Sequence, residues 1–116
     1  MQMLHVTIRT GKFDEELAFY RDIVGLKILR DLRDKGREIV FLAEKEGDTC
    51  VEIIDTPDAD DAGNRFLSIG FDSGDVEQMR EKLIALGIEV SPMESPMPQV
   101  KFFFVKDPAG VNVQFM

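Results

Sequence analysis

Val24-Gly25-Leu26-Lys27-Ile28 and, sixty-two residues further on, Leu86-Gly87-Ile88-Glu89-Val90 are one phrase written twice: an apolar residue, a glycine, then a strand-like alternation. Each copy follows an amphipathic stretch, so each glycine reads as the residue that stops a helix and releases the chain into a strand. The correspondence spreads outward from there. Val51 falls opposite Val113 at the offset of 62, and His5 falls opposite Ser68 at 63. A unit of about 60 residues present twice is too long for a solenoid repeat and indicates duplication of one supersecondary module.

The first copy begins with Leu4-His5-Val6-Thr7-Ile8-Arg9-Thr10, where apolar and polar residues alternate with the period of a half-buried strand. Phe13, Leu17, Tyr20 and Val24 then share one face of a predicted helix, with Asp14, Glu15 and Glu16 in its first turn, where the helix dipole favours negative charge. Strands are predicted over Leu26 to Leu32, Glu38 to Leu42 and Thr49 to Asp55, parted by Gly36 and by Glu46-Gly47-Asp48. In the second copy the pattern predicts a strand over Phe66 to Asp72. A helix follows, capped by Asp75 with Gln78 three residues on, and its buried side is expected to be Val76, Met79, Leu83 and Leu86. Strands are expected over Ile88 to Ser91, Val100 to Lys106 and Val111 to Met116, with Asp107-Pro108-Ala109-Gly110 turning between the last two and Pro92 to Gln99 forming a proline-stiffened loop. Between the copies, the acidic, turn-rich residues 56–65 read as a linker. The expected architecture is one α+β domain over 1–116, made of βαβββ modules at 1–55 and 66–116.

Composition narrows the function. The chain has 116 residues, 44% of them hydrophobic, enough for one core. No run approaches the roughly 20 apolar residues that span a bilayer, and the start lacks a basic-then-apolar leader, so a cytoplasmic protein is expected. The single Cys50 fits a reducing compartment and reads first as a small buried hydrophobe. A net charge of −8, with no basic cluster, argues against nucleic acid and anionic membranes as partners. A small molecule or another protein remains.

Each module can bury one sheet face beneath its helix, leaving the other face to wall a cavity. His5, Thr7 and Arg9, with Cys50, Glu52 and Ile54, belong to that second face, as do Ser68, Gly70, Gln114 and Met116 in the other module. His5, the only histidine, has two readings here: a solvated strand residue, or a member of a pocket. At least one of Phe102, Phe103 and Phe104 is expected to reach the same face, because the run is apolar on both sides.

Taken together, Leu4 to Arg9, Phe19-Tyr20, Val24 to Arg30, Val51-Glu52-Ile53 and the Asp107-Pro108-Ala109-Gly110 turn resemble the vicinal oxygen chelate superfamily of glyoxalases, bleomycin-resistance proteins and extradiol dioxygenases. Within it the chain is most similar to the glyoxalase I (lactoylglutathione lyase) branch. The resemblance implies paired βαβββ modules curving around a concave cavity, a homodimer, and a divalent metal such as nickel, zinc or cobalt. Carried onto this chain, the four metal positions are His5, Glu52, Ser68 and Gln114, and Arg9 matches a position that contacts a substrate carboxylate. The lyases usually have histidine where Ser68 stands and glutamate where Gln114 stands. The implied site is therefore His5, Glu52 and Gln114 on the metal, Glu52 and Gln114 at the catalytic positions, and Arg9, Thr7 and Ser68 toward substrate. Serine is a poor metal ligand and glutamine cannot act as a base, so a metal-independent small-molecule binder of the bleomycin-resistance type stands as the alternative. A two-histidine iron centre is ruled out by the histidine count.

Overall fold

Two βαβββ modules fold into a four-stranded mixed sheet each, in a computed structural model that describes residues 1–116. They form compact units over residues 1–60 and 61–116. No helix is long and apolar enough to cross a membrane.

In the first unit, β1 (His5–Thr10) leads to α1 (Phe13–Ala18), which continues as a π-helical turn over Phe19–Ile23. The predicted apolar stripe is the reason: Phe13, Leu17 and Tyr20 are all buried. Gly25 ends the helical segment with φ 86°, a left-handed conformation that other residues adopt only under strain. Then come β2 (Lys27–Asp31), a 3-10 turn at Arg33–Lys35, β3 (Ile39–Ala43) and β4 (Cys50–Asp55). The sheet order is β1-β4-β3-β2, with β1 and β4 parallel and the other pairs antiparallel. Ile8, Val40, Leu42, Val51 and Ile53 form the buried face of this sheet.

The second unit repeats the plan with β5 (Ser68–Phe71), α2 (Val76–Ala85), β6 (Glu94–Met97), β7 (Val100–Lys106) and β8 (Asn112–Phe115), in the order β5-β8-β7-β6. Asp75 caps α2 as expected, accepting from the Gln78 backbone N–H at 2.9 Å. Gly87 has φ 79°, matching Gly25 across the repeat. Leu83, Phe103, Val105, Val113 and Phe115 are buried.

Three expectations need correction. Ile88 to Ser91 does not form a strand: Ser91 bonds Phe104 through its backbone N–H at 2.9 Å and its hydroxyl at 2.7 Å, and Pro92, lacking an N–H, follows at once. The fourth strand is instead Glu94–Met97, within the stretch expected to be a loop. It lies at the sheet edge, where a proline such as Pro96 is tolerated. Leu86 is not on the buried side of α2 but 57% exposed, since the helix closes at Ala85 and Leu86 sits in its cap. Within residues 56–65, Asp61–Phe66 winds into a 3-10 helix, tied to the last turn by Asn64 donating to the Ala109 carbonyl at 2.9 Å.

Ile53 is fully buried and Ile84 is half-exposed, so truncation separates core from surface. Ile53→Ala should lower unfolding free energy by about 2–5 kcal/mol in urea titration, and Ile84→Ala should change it by no more than about 0.5 kcal/mol. Equal losses would contradict this packing.

Candidate functional site

Pairing fixes which side chains meet on the face of the first sheet away from the core. Thr7 lies opposite Glu52, Glu52 opposite Phe41, and Phe41 opposite Arg30, so one rung crosses all four strands as Thr7–Glu52–Phe41–Arg30. His5 lies one pleat along from Thr7, opposite Cys50. The period-2 reading therefore placed His5, Thr7, Arg9, Cys50, Glu52 and Ile54 on one face as expected.

Glu52 is the anchor of this face. It is 9% exposed, and its Oε1 accepts a short hydrogen bond from the Thr7 hydroxyl. The same oxygen lies 3.5 Å from His5 Nε2. The His5 side chain is 41% exposed, so the carboxylate sits below a wet imidazole. The ring of His5 meets the ring of Phe41 edge to face, centroids 5.6 Å apart. Beside them opens a cavity of about 380 Å³, walled by His5, Leu29, Arg30, Phe41, Asp48 and Cys50 among others. Arg9 shares the face but lies four residues along β1, about 13 Å from His5 by strand rise, opposite Ile54. Thr7, expected to touch substrate, donates its hydroxyl to Glu52.

In the second unit Ser68 lies opposite Asn112, and Gly70 lies opposite Gln114, which in turn faces Phe104. Gln114 thus stands on β8 where Glu52 stands on β4, and Phe104 where Phe41 stands. The place of Thr7 is taken by Gly70, which offers no hydroxyl; a Cβ there would lie 3.8 Å from Gln114 Oε1. Phe102 and Phe104 belong to this face, stacked edge to face at 5.8 Å, while Phe103 is buried against Phe115 on the other.

The donors can be tested against a metal. An imidazole and a carboxylate suit zinc, nickel or cobalt. No third histidine, cysteine, aspartate or glutamate joins them, however, and Glu52 Oε1 already accepts a hydrogen bond from the Thr7 hydroxyl. Ser68 and Gln114 contribute only neutral oxygens. Within the first unit, His5 and Glu52 alone fall short of the three or more protein ligands a catalytic metal centre requires.

Arg30 and Phe41 are the site residues that sequence reasoning missed. A strict alternation puts Ile28 and Arg30 on one face, but the pairing slips between them, so Ile28 faces Leu42 and Arg30 faces Phe41. A bulge of this sort leaves no signal in hydrophobic periodicity.

The family profile described as "Glyoxalase/Bleomycin resistance protein/Dioxygenase superfamily" matches residues 2–115. A lactoylglutathione lyase of Haemophilus influenzae is 27% identical, covering 100% of this chain and 92% of its own length. Among solved structures, the trypanothione-dependent glyoxalase I of Leishmania major superimposes with TM-score 0.74 at 24% identity, covering 100% of this chain and 86% of that one. An antibiotic-binding protein from Streptomyces sp. CB03234 superimposes with TM-score 0.78 at 19% identity, covering 99% and 93%. These two structural likenesses show the fold.

Because Thr7 is the hydroxyl donor to a nearly buried carboxylate, Thr7→Val should destabilise the protein by about 1–3 kcal/mol in urea titration at neutral pH, and Thr7→Ser should restore most of the loss. A Thr7→Val variant as stable as the wild type would contradict the pairing.

Proposed function

The chain belongs to the glyoxalase/bleomycin resistance protein/dioxygenase superfamily, and from that premise we propose that it binds a small organic molecule in the cavity beside His5, holding it through the His5–Glu52 pair without a metal. The observation that carries this reading is the Thr7–Glu52–His5 chain, in which a carboxylate is fixed in place beneath an accessible imidazole at the mouth of a small cavity. Neutral His5 offers one ring nitrogen as donor and one as acceptor, and Glu52 orients it by accepting or by attracting its proton. A ligand carbonyl, hydroxyl or amine can therefore be met at His5 while Leu29 and Phe41 take its apolar part. Arg9 is a charge toward the far end of the same face in this reading. A homodimer in the cytoplasm is the expected form, on the family resemblance and the lone thiol of Cys50.

A second reading, isomerisation of a glutathione hemithioacetal, is favoured by the full-length likeness to lactoylglutathione lyase. That reaction shuttles a proton between adjacent carbons through an enediolate, which requires a free base. Gln114 cannot serve, and Glu52 is the sole carboxylate of the four positions. The donor set therefore weighs against it.

The two readings part in one set of measurements. A ligand found by thermal-shift screening in the presence of chelator should raise stability by about 2–3 kcal/mol at about a hundred times its Kd. His5→Ala and Glu52→Gln should abolish the rise while unfolding cooperatively on their own. The wild type should bind nickel, cobalt and zinc weakly and turn over no methylglyoxal–glutathione hemithioacetal. Stoichiometric metal lost in His5→Ala, together with turnover, would overturn the metal-free reading in favour of the lyase.

A further inference from the structure

The cavity beside His5 has a second pole that the His5–Glu52 pair does not use. Arg30, at the β2 end of the rung, holds its guanidinium 4.7 Å from the centroid of the Phe41 ring, whose other neighbour is the His5 imidazole. Both Arg30 and His5 line the same cavity. One aromatic ring thus carries a cation over its face and an imidazole against it, close enough for one small ligand to reach both.

The charge of Arg30 is unspent. No carboxylate lies within ion-pair distance of it, whereas Arg21 is paired with Asp22 and Arg33 with Asp31. Asp31, its neighbour in sequence, is fully committed elsewhere. The Arg33 guanidinium, helped by the Arg33 backbone N–H, holds the Asp31 carboxyl down at about 2, so it stays ionised and engaged with Arg33. Its place over Phe41 limits the orientations open to the planar Arg30 guanidinium, which lowers the entropy lost when a planar oxyanion binds.

The other wall selects among anions. Glu46 and Asp48 line the same cavity, and the chain carries a net charge of −8. Both repel any anion, a dianion such as phosphate about twice as strongly as a monocarboxylate, which meets the guanidinium bidentately and leaves its apolar remainder to Leu29 and Leu4.

We propose that Arg30 is the specificity-determining cation of this cavity, gripping the carboxylate of a small monocarboxylic ligand above Phe41 while the rest of the ligand extends toward His5. This rests on the cavity being the ligand site, as proposed above, and assigns the chemical class of what enters it.

The test uses phenylacetate and its uncharged isostere phenylacetamide, with inorganic phosphate as the dianion, titrated by NMR into wild type, Arg30→Met and Arg30→Lys. Arg30 is exposed, so neither substitution threatens folding. Wild type should prefer phenylacetate over the amide by at least about tenfold. Arg30→Met should reduce that preference to near unity, Arg30→Lys should keep part of it, and phosphate should bind more weakly than phenylacetate. The proposal is overturned if acid and amide bind equally, if the preference survives Arg30→Met, if phosphate matches phenylacetate, or if neither probe binds at tens of millimolar. His5→Ala in the same titration separates the two proposals. An intact carboxylate preference with unchanged affinity leaves Arg30 assigned and removes His5 as the anchor.

Discussion

Holding the Glu52 carboxylate nearly out of water is the constraint around which the first unit is built. A buried carboxylate is costly unless hydrogen bonds replace the water it lost. Thr7 supplies one such bond from the adjacent strand, and the parallel β1–β4 register sets it directly opposite. The same register brings His5 within 3.5 Å. Core packing enforces that register, because sliding β1 by one residue would expose Ile8 and bury His5 and Thr7. Site geometry and core packing are therefore one condition, met by two faces of the same strands.

The duplication shows what was kept and what was changed. Both units retain a helix over one sheet face, a left-handed glycine after it, and a phenylalanine beside the fourth strand's polar residue: Phe41 by Glu52, Phe104 by Gln114. The chemistry differs at the remaining positions. Where the first unit has imidazole, hydroxyl and carboxylate at His5, Thr7 and Glu52, the second has hydroxyl, nothing and carboxamide at Ser68, Gly70 and Gln114. At these three positions the titratable groups belong to the first copy. A fixed carboxylate beside an exposed imidazole is suited to orienting a ligand; proton transfer of the lyase kind asks for a free base.

Much of this was legible in the chain itself. The paired Gly25 and Gly87, the helical stripe of Phe13, Leu17 and Tyr20, and the alternation in β1 and β4 report directly on burial, and burial follows side-chain period. What stayed hidden has physical causes of two kinds. Ile88 to Ser91 has strand-like composition, yet Pro92 and the side-chain bond from Ser91 to Phe104 prevent a ladder, and Glu94–Met97 takes the edge in spite of its proline because an edge tolerates one. Arg30 was invisible as a site residue because the slip after Ile28 reverses its face. Thr7 shows the limit of period alone: a hydroxyl on a polar face can serve a ligand or a neighbour, and only the register shows that Glu52 is within reach.

The fold does not separate enzyme from binder, since a glyoxalase I and an antibiotic-binding protein superimpose on this chain about equally well. The distinction lives in the donor set, and His5 reports on it directly. As the only histidine, it gives a single set of imidazole resonances. The most direct measurement is to follow those resonances while a fragment mixture is added in the presence of chelator. Ligand binding at His5 predicts that they shift and saturate with the bound fragment, together with amide signals of Cys50 and Phe41. Imidazole signals that stay fixed under every bound fragment, and move only when nickel or zinc is supplied, would contradict metal-free binding at this site.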